Sequence, residues 1–177
     1  MAVIAIYSVK GGVGKTTIAA NLAWCSAAIS CRETLLWDLD PAGGAGFLLG
    51  ADDGRPAGAG AIFDHAIDPD RLIRPTPWDR LALLPADESL RELGSLLGRI
   101  GKKRRLAKLA EAMSRQYQRI ILDCPPVLGE LSAQVVRAAD VVIVPLPPSP
   151  LSARAFELVV REIRAHAKQP PPILPVL

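Results

Sequence analysis

Eight residues near the amino terminus, Lys10-Gly11-Gly12-Val13-Gly14-Lys15-Thr16-Thr17, carry the most explicit chemistry in the chain. They lie directly behind the apolar run Val3-Ile4-Ala5-Ile6-Tyr7, so a strand runs into a glycine-rich turn and then into a helix. Such a turn leaves backbone N–H groups around a concavity at the positive end of a helix dipole, which suits a phosphate. The glycines keep Cβ atoms out of the path of a triphosphate, and Lys15 reaches the β- and γ-phosphate oxygens as a flexible point charge. The Thr16 hydroxyl is placed to ligate Mg2+, with Thr17 completing the loop. The strict phosphate-loop pattern G-x-x-x-x-G-K-[ST] is not met, because Val9 stands where its first glycine belongs.

Two carboxylate motifs follow apolar runs further on. Asp38-Leu39-Asp40-Pro41 stands behind Thr34 to Trp37, and Asp123-Cys124-Pro125-Pro126 behind Arg119 to Leu122. In an open parallel sheet ligands bind at the carboxyl edge, so both motifs are expected beside the phosphate loop. An aspartate at the tip of a buried strand fits the task of holding the water shell of Mg2+, and an unpaired one there is otherwise costly.

The elements that must position these residues are legible in outline. Val3 to Tyr7, Leu35-Leu36-Trp37, Leu81 to Leu84, Ile120 to Leu122 and Val141 to Val144 are continuous apolar runs, mostly separated by helical segments. They predict an α/β, doubly wound, mainly parallel sheet with helices on both faces. The first helix is expected from Gly14 or Lys15 to about Ile29, with Ile18, Leu22, Cys25 and Ile29 as its apolar stripe and Ala19, Ala20 and Ala23 allowing close packing. Residues 42–61 read as a mobile Gly- and Ala-rich loop with one short helix near Phe47 to Leu49. Residues 62–80 give little pattern beyond the anchors Ile62-Phe63 and Leu72-Ile73. Leu90, Leu93 and Leu97 mark one helix, broken by Gly98 and Gly101, and Leu106, Leu109, Ala110 and Met113 mark the next. Ser149 and Pro150 form a start signal for a last helix, and Ile173 to Leu177 begins one more strand.

Composition sets the bounds. A chain of 177 residues, half of them apolar, fits one domain spanning residues 1–177. The net charge of +3 is too small to identify a nucleic-acid binder. The run at 2–7 is too short for a signal peptide, and no uninterrupted apolar stretch is long enough to span a bilayer. Cys25, Cys31 and Cys124 are odd in number and lack metal spacing, so they read as reduced thiols of a cytoplasmic protein. His65 and His166 stand alone in sequence and are not expected to bind metal. The run Lys102-Lys103-Arg104-Arg105 reads as a solvated helix end, yet cations at a helix N-terminus oppose the dipole and invite a compensating partner.

The loop K-G-G-V-G-K-T, with its second lysine at position 10, resembles the deviant Walker A loop of the ParA/MinD family of P-loop ATPases. Asp38-Leu39-Asp40-Pro41, Asp123-Cys124-Pro125-Pro126 and the looser P-L-P-P-S-P-L-S at 145–152 extend that resemblance over residues 1 to about 165. Asn21-Leu22-Ala23-Trp24 is similar to the family's cellulose-synthesis operon ATPases. The resemblance implies ATP and Mg2+ as cofactors. Gly11, Gly12, Val13, Gly14, Lys15, Thr16 and Thr17 would hold the nucleotide, and Thr16, Asp38 and Asp123 the metal, the two aspartates through water. It further implies that Lys10 crosses to a partner's phosphates in an ATP-bound homodimer and that Asp40 orients the attacking water. Ala42 stands where many members carry Gln, and the family's C-terminal segment, with its adenine-enclosing and basic elements, has no counterpart in these residues.

The function expected from this resemblance is an ATP-binding, slowly hydrolysing dimerisation switch for DNA segregation or for positioning a cellular complex. A ParB-like or adaptor protein would be its activator. Nonspecific DNA is a further partner, contacted through Lys102, Lys103, Arg104 and Arg105; membrane attachment is not expected. The alternative is a non-hydrolysing nucleotide-binding assembly or regulatory subunit.

Overall fold

The computed structural model describes residues 1–51 and 58–177. The described residues form a seven-stranded sheet of order β3-β4-β2-β5-β1-β6-β7. Its strands are β1 (Ala2–Ile6), β2 (Thr34–Asp38), β3 (Arg74–Pro75), β4 (Leu81–Leu84), β5 (Arg119–Asp123), β6 (Val141–Pro145) and β7 (Ile173–Val176). Every pairing is parallel except that of β3, a two-residue edge strand antiparallel to β4. Pro75 and Pro175 both fall on edge strands, where a missing N–H costs the ladder least.

Six α-helices flank the sheet among the described residues: α1 (Lys15–Trp24), α2 (Gly44–Leu48), α3 (Leu93–Ile100), α4 (Arg105–Met113), α5 (Glu130–Ala138) and α6 (Pro150–His166). Alternation along the strands divides the core in two. Val3, Ala5, Tyr7, Leu35, Trp37, Ile120 and Leu122 pack with the leucines and valines of α3 to α6. Ile4, Ile6, Leu36, Leu83 and Ile121 face α1 and α2 on the other side. This is the doubly wound arrangement that the apolar runs require. Trp37 also stacks on Phe63, with ring centroids 5.9 Å apart and 27° between planes, which fixes the segment entering residues 62–80. Leu72 and Ile73, the other expected anchors there, pack partly buried against the same cluster.

The first helix differs from expectation in the face it buries. The chain stays helical to Ile29, but Cys25–Ile29 is a π-turn. The face against the sheet is Ala19, Ala20, Ala23 and Ala27, while Ile18 and Leu22 are half-buried and Ile29 is 68% exposed. Alanine lets the helix axis come nearer the sheet than a stripe of leucines and isoleucines could, so small side chains win the inner face. Helix α5, which no start signal in the sequence announces, follows Asp123-Cys124-Pro125-Pro126 with Gly129 at its N-cap. The short helix expected near Phe47 to Leu49 is α2, which begins earlier, at Gly44, and residues 52–57 of the surrounding loop lie outside the described residues.

The basic run is also not what the sequence suggests. Arg105 is buried, 4% exposed, with Nε donating to the Phe63 carbonyl (2.8 Å) and Nη2 to the Ile62 carbonyl (2.6 Å). It is a staple between α4 and residues 62–63, and its burial takes it out of the group of candidate DNA contacts. The compensation at the start of α4 is internal. The buried Gln134 amide donates to the Lys102 carbonyl (2.7 Å) and accepts the Leu106 N–H (3.2 Å), acting as a cap from α5. Lys102, Lys103 and Arg104 remain exposed, Arg104 in a solvent-exposed pair with Glu111 at 3.4 Å. Arg105→Ala orphans two carbonyls and is expected to cost about 2–3 kcal/mol in urea unfolding. Lys102→Glu with Lys103→Glu is expected to leave stability within about 0.5 kcal/mol.

Candidate nucleotide site

The register of the central strands builds the site. Ile6 of β1, Asp123 of β5 and Asp38 of β2 are aligned partners at the carboxyl end of three adjacent strands. The loop behind β1 therefore emerges level with both aspartates, as the carboxyl-edge argument requires.

In that loop Gly12 and Gly14 have φ of 69° and 87°, the left-handed region that glycine occupies without strain. A Cβ at Gly11, Gly12 or Gly14 would meet no protein atom within 4 Å, so the loop surrounds open space. Gly14 is also the N-cap of α1, which has no side-chain cap and no acidic residue in its first turn. The first N–H groups of α1 are thus left for an anion. Lys15 is buried, and its Nζ reaches back across the loop to the Lys10 carbonyl at 3.4 Å. Lys10 itself points elsewhere: its Nζ lies 3.5 Å from Oγ of the buried Ser152 in the first turn of α6.

The two aspartates are fully buried and held differently. Asp38 accepts the N–H groups of Asp40 (2.9 Å) and Ala45 (3.1 Å), whereas neither oxygen of Asp123 has a hydrogen-bond partner. Burial, and then the Asp123 charge beside it, push the Asp38 carboxyl up to about 7. Burial likewise raises Asp123 to about 6, against the lowering influence of the Thr16 hydroxyl and of Lys15. Two desolvated carboxylates in register with one nearby lysine leave negative charge uncompensated. The hard oxygens of Thr16, Asp38 and Asp123 fit Mg2+, which binds few protein ligands and keeps waters and phosphate oxygens for the rest. No cluster of three or more His, Cys, Asp or Glu among the described residues could hold a metal ion. Asp40 is half-buried and accepts the Ala42 N–H at 3.1 Å, so its carboxylate sits at the rim of the same site.

Several contributors carry no sequence signal. Ala45 acts through its backbone, and Gly44 lies close to the loop threonine, where a Cβ would meet Thr16 Cγ2 tightly at 3.2 Å. Ser152 and the Tyr7 hydroxyl, which donates to the Val127 carbonyl at 2.8 Å, join segments more than a hundred residues apart. Only the glycines at 43 and 44 hinted at a tight approach.

A family model described as an AAA domain matches residues 1–174. The chain belongs to the ParA/MinD family of P-loop ATPases. Relatives of this ParA/MinD-family chain include a chromosome partitioning protein ParA of Myxococcus xanthus, 39% identical over 149 residues. That match covers 81% of this chain and 51% of the relative. The sporulation initiation inhibitor protein Soj of Bacillus subtilis is 38% identical over 148 residues, 81% of this chain and 57% of that one. The chain thus spans about half the length of the curated relatives it matches. Among solved structures, a cobyrinic acid a,c-diamide synthase from Mycobacterium smegmatis with bound ADP and magnesium superposes with a TM-score of 0.87. It is 30% identical, over 99% of this chain and 74% of that one. The septum site-determining protein MinD of Pyrococcus horikoshii, complexed with Mg-ADP, has a TM-score of 0.77 at 21% identity, over 97% and 67% of the two chains, and shares the fold. No helix among the described residues is long and apolar enough to cross a membrane.

Proposed function

We propose that this chain binds ATP with Mg2+, hydrolyses it slowly, and uses the cycle to join and release two copies of itself. The role would lie in DNA segregation or in positioning a cellular complex in the cytoplasm. The observation that carries the reading is the division of labour between two lysines. Lys15 fills the loop from within, while the Lys10 ammonium, turned to Ser152, is left over for phosphates that are not its own. A lysine supplied in trans lets a nucleotide bind two subunits together, and hydrolysis removes the link. Asp40, at the rim, would orient the attacking water. A ParB-like or adaptor protein would accelerate the step, and nonspecific DNA would be met by Lys102, Lys103 and Arg104.

The test is light scattering of the full chain with and without Mg2+-ATP, paired with phosphate release. Wild type is expected to double in mass with ATP; Lys10→Ala is expected to bind ATP and stay monomeric. Asp40→Ala is expected to dimerise yet lose about 10²-fold or more in turnover. A Lys10→Ala protein that still doubles, or an Asp40→Ala protein of normal turnover, overturns the assignment.

A further inference from the structure

We propose that Glu162 is a positioning residue for the loop that follows Asp123, holding that loop from a separate helix. The proposal deepens the nucleotide-site reading and rests on it for its functional consequence. Residues 124–129 join β5 to α5; Cys124 and Pro125 are buried, but beyond them apolar packing does not fix the segment, since Val127 is 40% and Leu128 54% exposed. Polar tethers do. The Cys124 N–H donates to the Ile6 carbonyl at 3.2 Å, and the Tyr7 hydroxyl donates to the Val127 carbonyl at mid-loop.

The far end is the unusual one. Gly129, with φ of 120°, is the N-cap of α5 and has no side chain with which to cap it. Ser132 Oγ accepts the Gly129 N–H at 2.9 Å, and Glu162 of α6 reaches the same two groups from across the fold. One of its carboxylate oxygens accepts the Ser132 hydroxyl at 2.5 Å and the Gly129 N–H at 3.3 Å, at the positive end of α5. His166, one turn further along α6, contacts the same oxygen through Nε2 at 3.1 Å. The first turn of α6 is placed against the phosphate loop through Ser152 and Lys10, so the helix that carries Glu162 is itself referenced to the site. A charge-assisted cap of this kind is among the stronger polar contacts a loop can have. It keeps the backbone beyond Asp123 in one place, and with it the direction in which that carboxylate meets a cation.

The test is amide hydrogen exchange by mass spectrometry on the nucleotide-free full chain. Glu162→Ala is expected to speed exchange at residues 126–132 by about tenfold while β1 and β5 are unchanged. Glu162→Gln, which keeps an acceptor without the charge, is expected to give about a threefold rise. Unchanged rates at 126–132, or an equal rise throughout the chain, overturn the tether. A fluorescent ADP analogue supplies the second readout. Glu162→Ala is expected to raise several-fold the Mg2+ concentration needed for tight binding and to leave Mg2+-free affinity as in wild type. Faster exchange with an unaltered Mg2+ requirement overturns the positioning role. A wild-type chain that binds no nucleotide overturns the nucleotide reading, and the exchange rates still decide the tether.

Discussion

Lys15→Ala is expected to weaken Mg2+-nucleotide binding by about a hundredfold or more, the largest effect any single substitution should have on this chain. The loop offers an anion two kinds of partner, backbone N–H groups at the start of α1 and one ammonium within the cradle. Lys15 is that ammonium, already buried and already turned across the loop to the Lys10 carbonyl. Its removal takes away the ammonium proposed to face the β- and γ-phosphates while the glycine geometry stays. Lys15→Arg should not restore binding, because a planar guanidinium cannot occupy the compact position of an ammonium in a closed loop. Calorimetry against ADP and ATP measures the loss, and thermal unfolding of the same samples shows that the chain remains folded. Retained submicromolar binding by Lys15→Ala would place the phosphates outside this loop.

The second large effect concerns the paired aspartates. Asp38 is raised to about 7 and Asp123 to about 6, both from an ordinary value of 3.8. Between pH 4 and 7 the folded chain therefore holds protons that the unfolded chain has already released. Unfolding free energy must fall as pH rises through that window, since stability rises with pH only where the unfolded state binds more protons. The nucleotide-free protein is expected to be less stable at pH 8 than at pH 5, by on the order of 3 kcal/mol for the coupled pair. Glu162 and Asp87 do not confuse the reading, because their carboxyls are held below ordinary values by hydrogen bonds that outweigh burial, and they stay ionised throughout. Asp123→Asn removes one of the two buried charges. It is expected to raise stability at pH 8 by about 1–3 kcal/mol and to flatten the slope while abolishing Mg2+-dependent turnover. Urea unfolding from pH 5 to pH 8 decides the matter; a slope of the opposite sign would mean that the two carboxylates are already compensated.

Much of this was legible because the informative signals are local. A glycine-rich loop behind an apolar run, and an aspartate at the end of each of two further runs, declare their chemistry within a few residues. The parallel sheet follows from the same runs. Residues 62–80 were not legible, since Phe63 is placed by stacking on Trp37 and by the Arg105 staple, two contacts made across the fold. The α5 helix was missed for the same reason: its N-cap is a glycine, and the carboxylate that holds this end of the helix lies 33 residues away on α6.

The sequence by itself determined the fold class and the placing of the glycine-rich loop, Asp38 and Asp123 at one edge of the sheet, because backbone conformation and side-chain chemistry at those positions depend on near neighbours. The tertiary structure alone decided where the charges go. It buried Arg105 on two carbonyls and left Lys102 and Lys103 in solvent, though all three stand in one basic run. It turned Lys10 toward Ser152 and left Asp123 without a hydrogen-bond partner. A charge is worth little until its surroundings are known, for desolvation and the nearest opposing dipole set its energy, and packing brings those from distant parts of the chain.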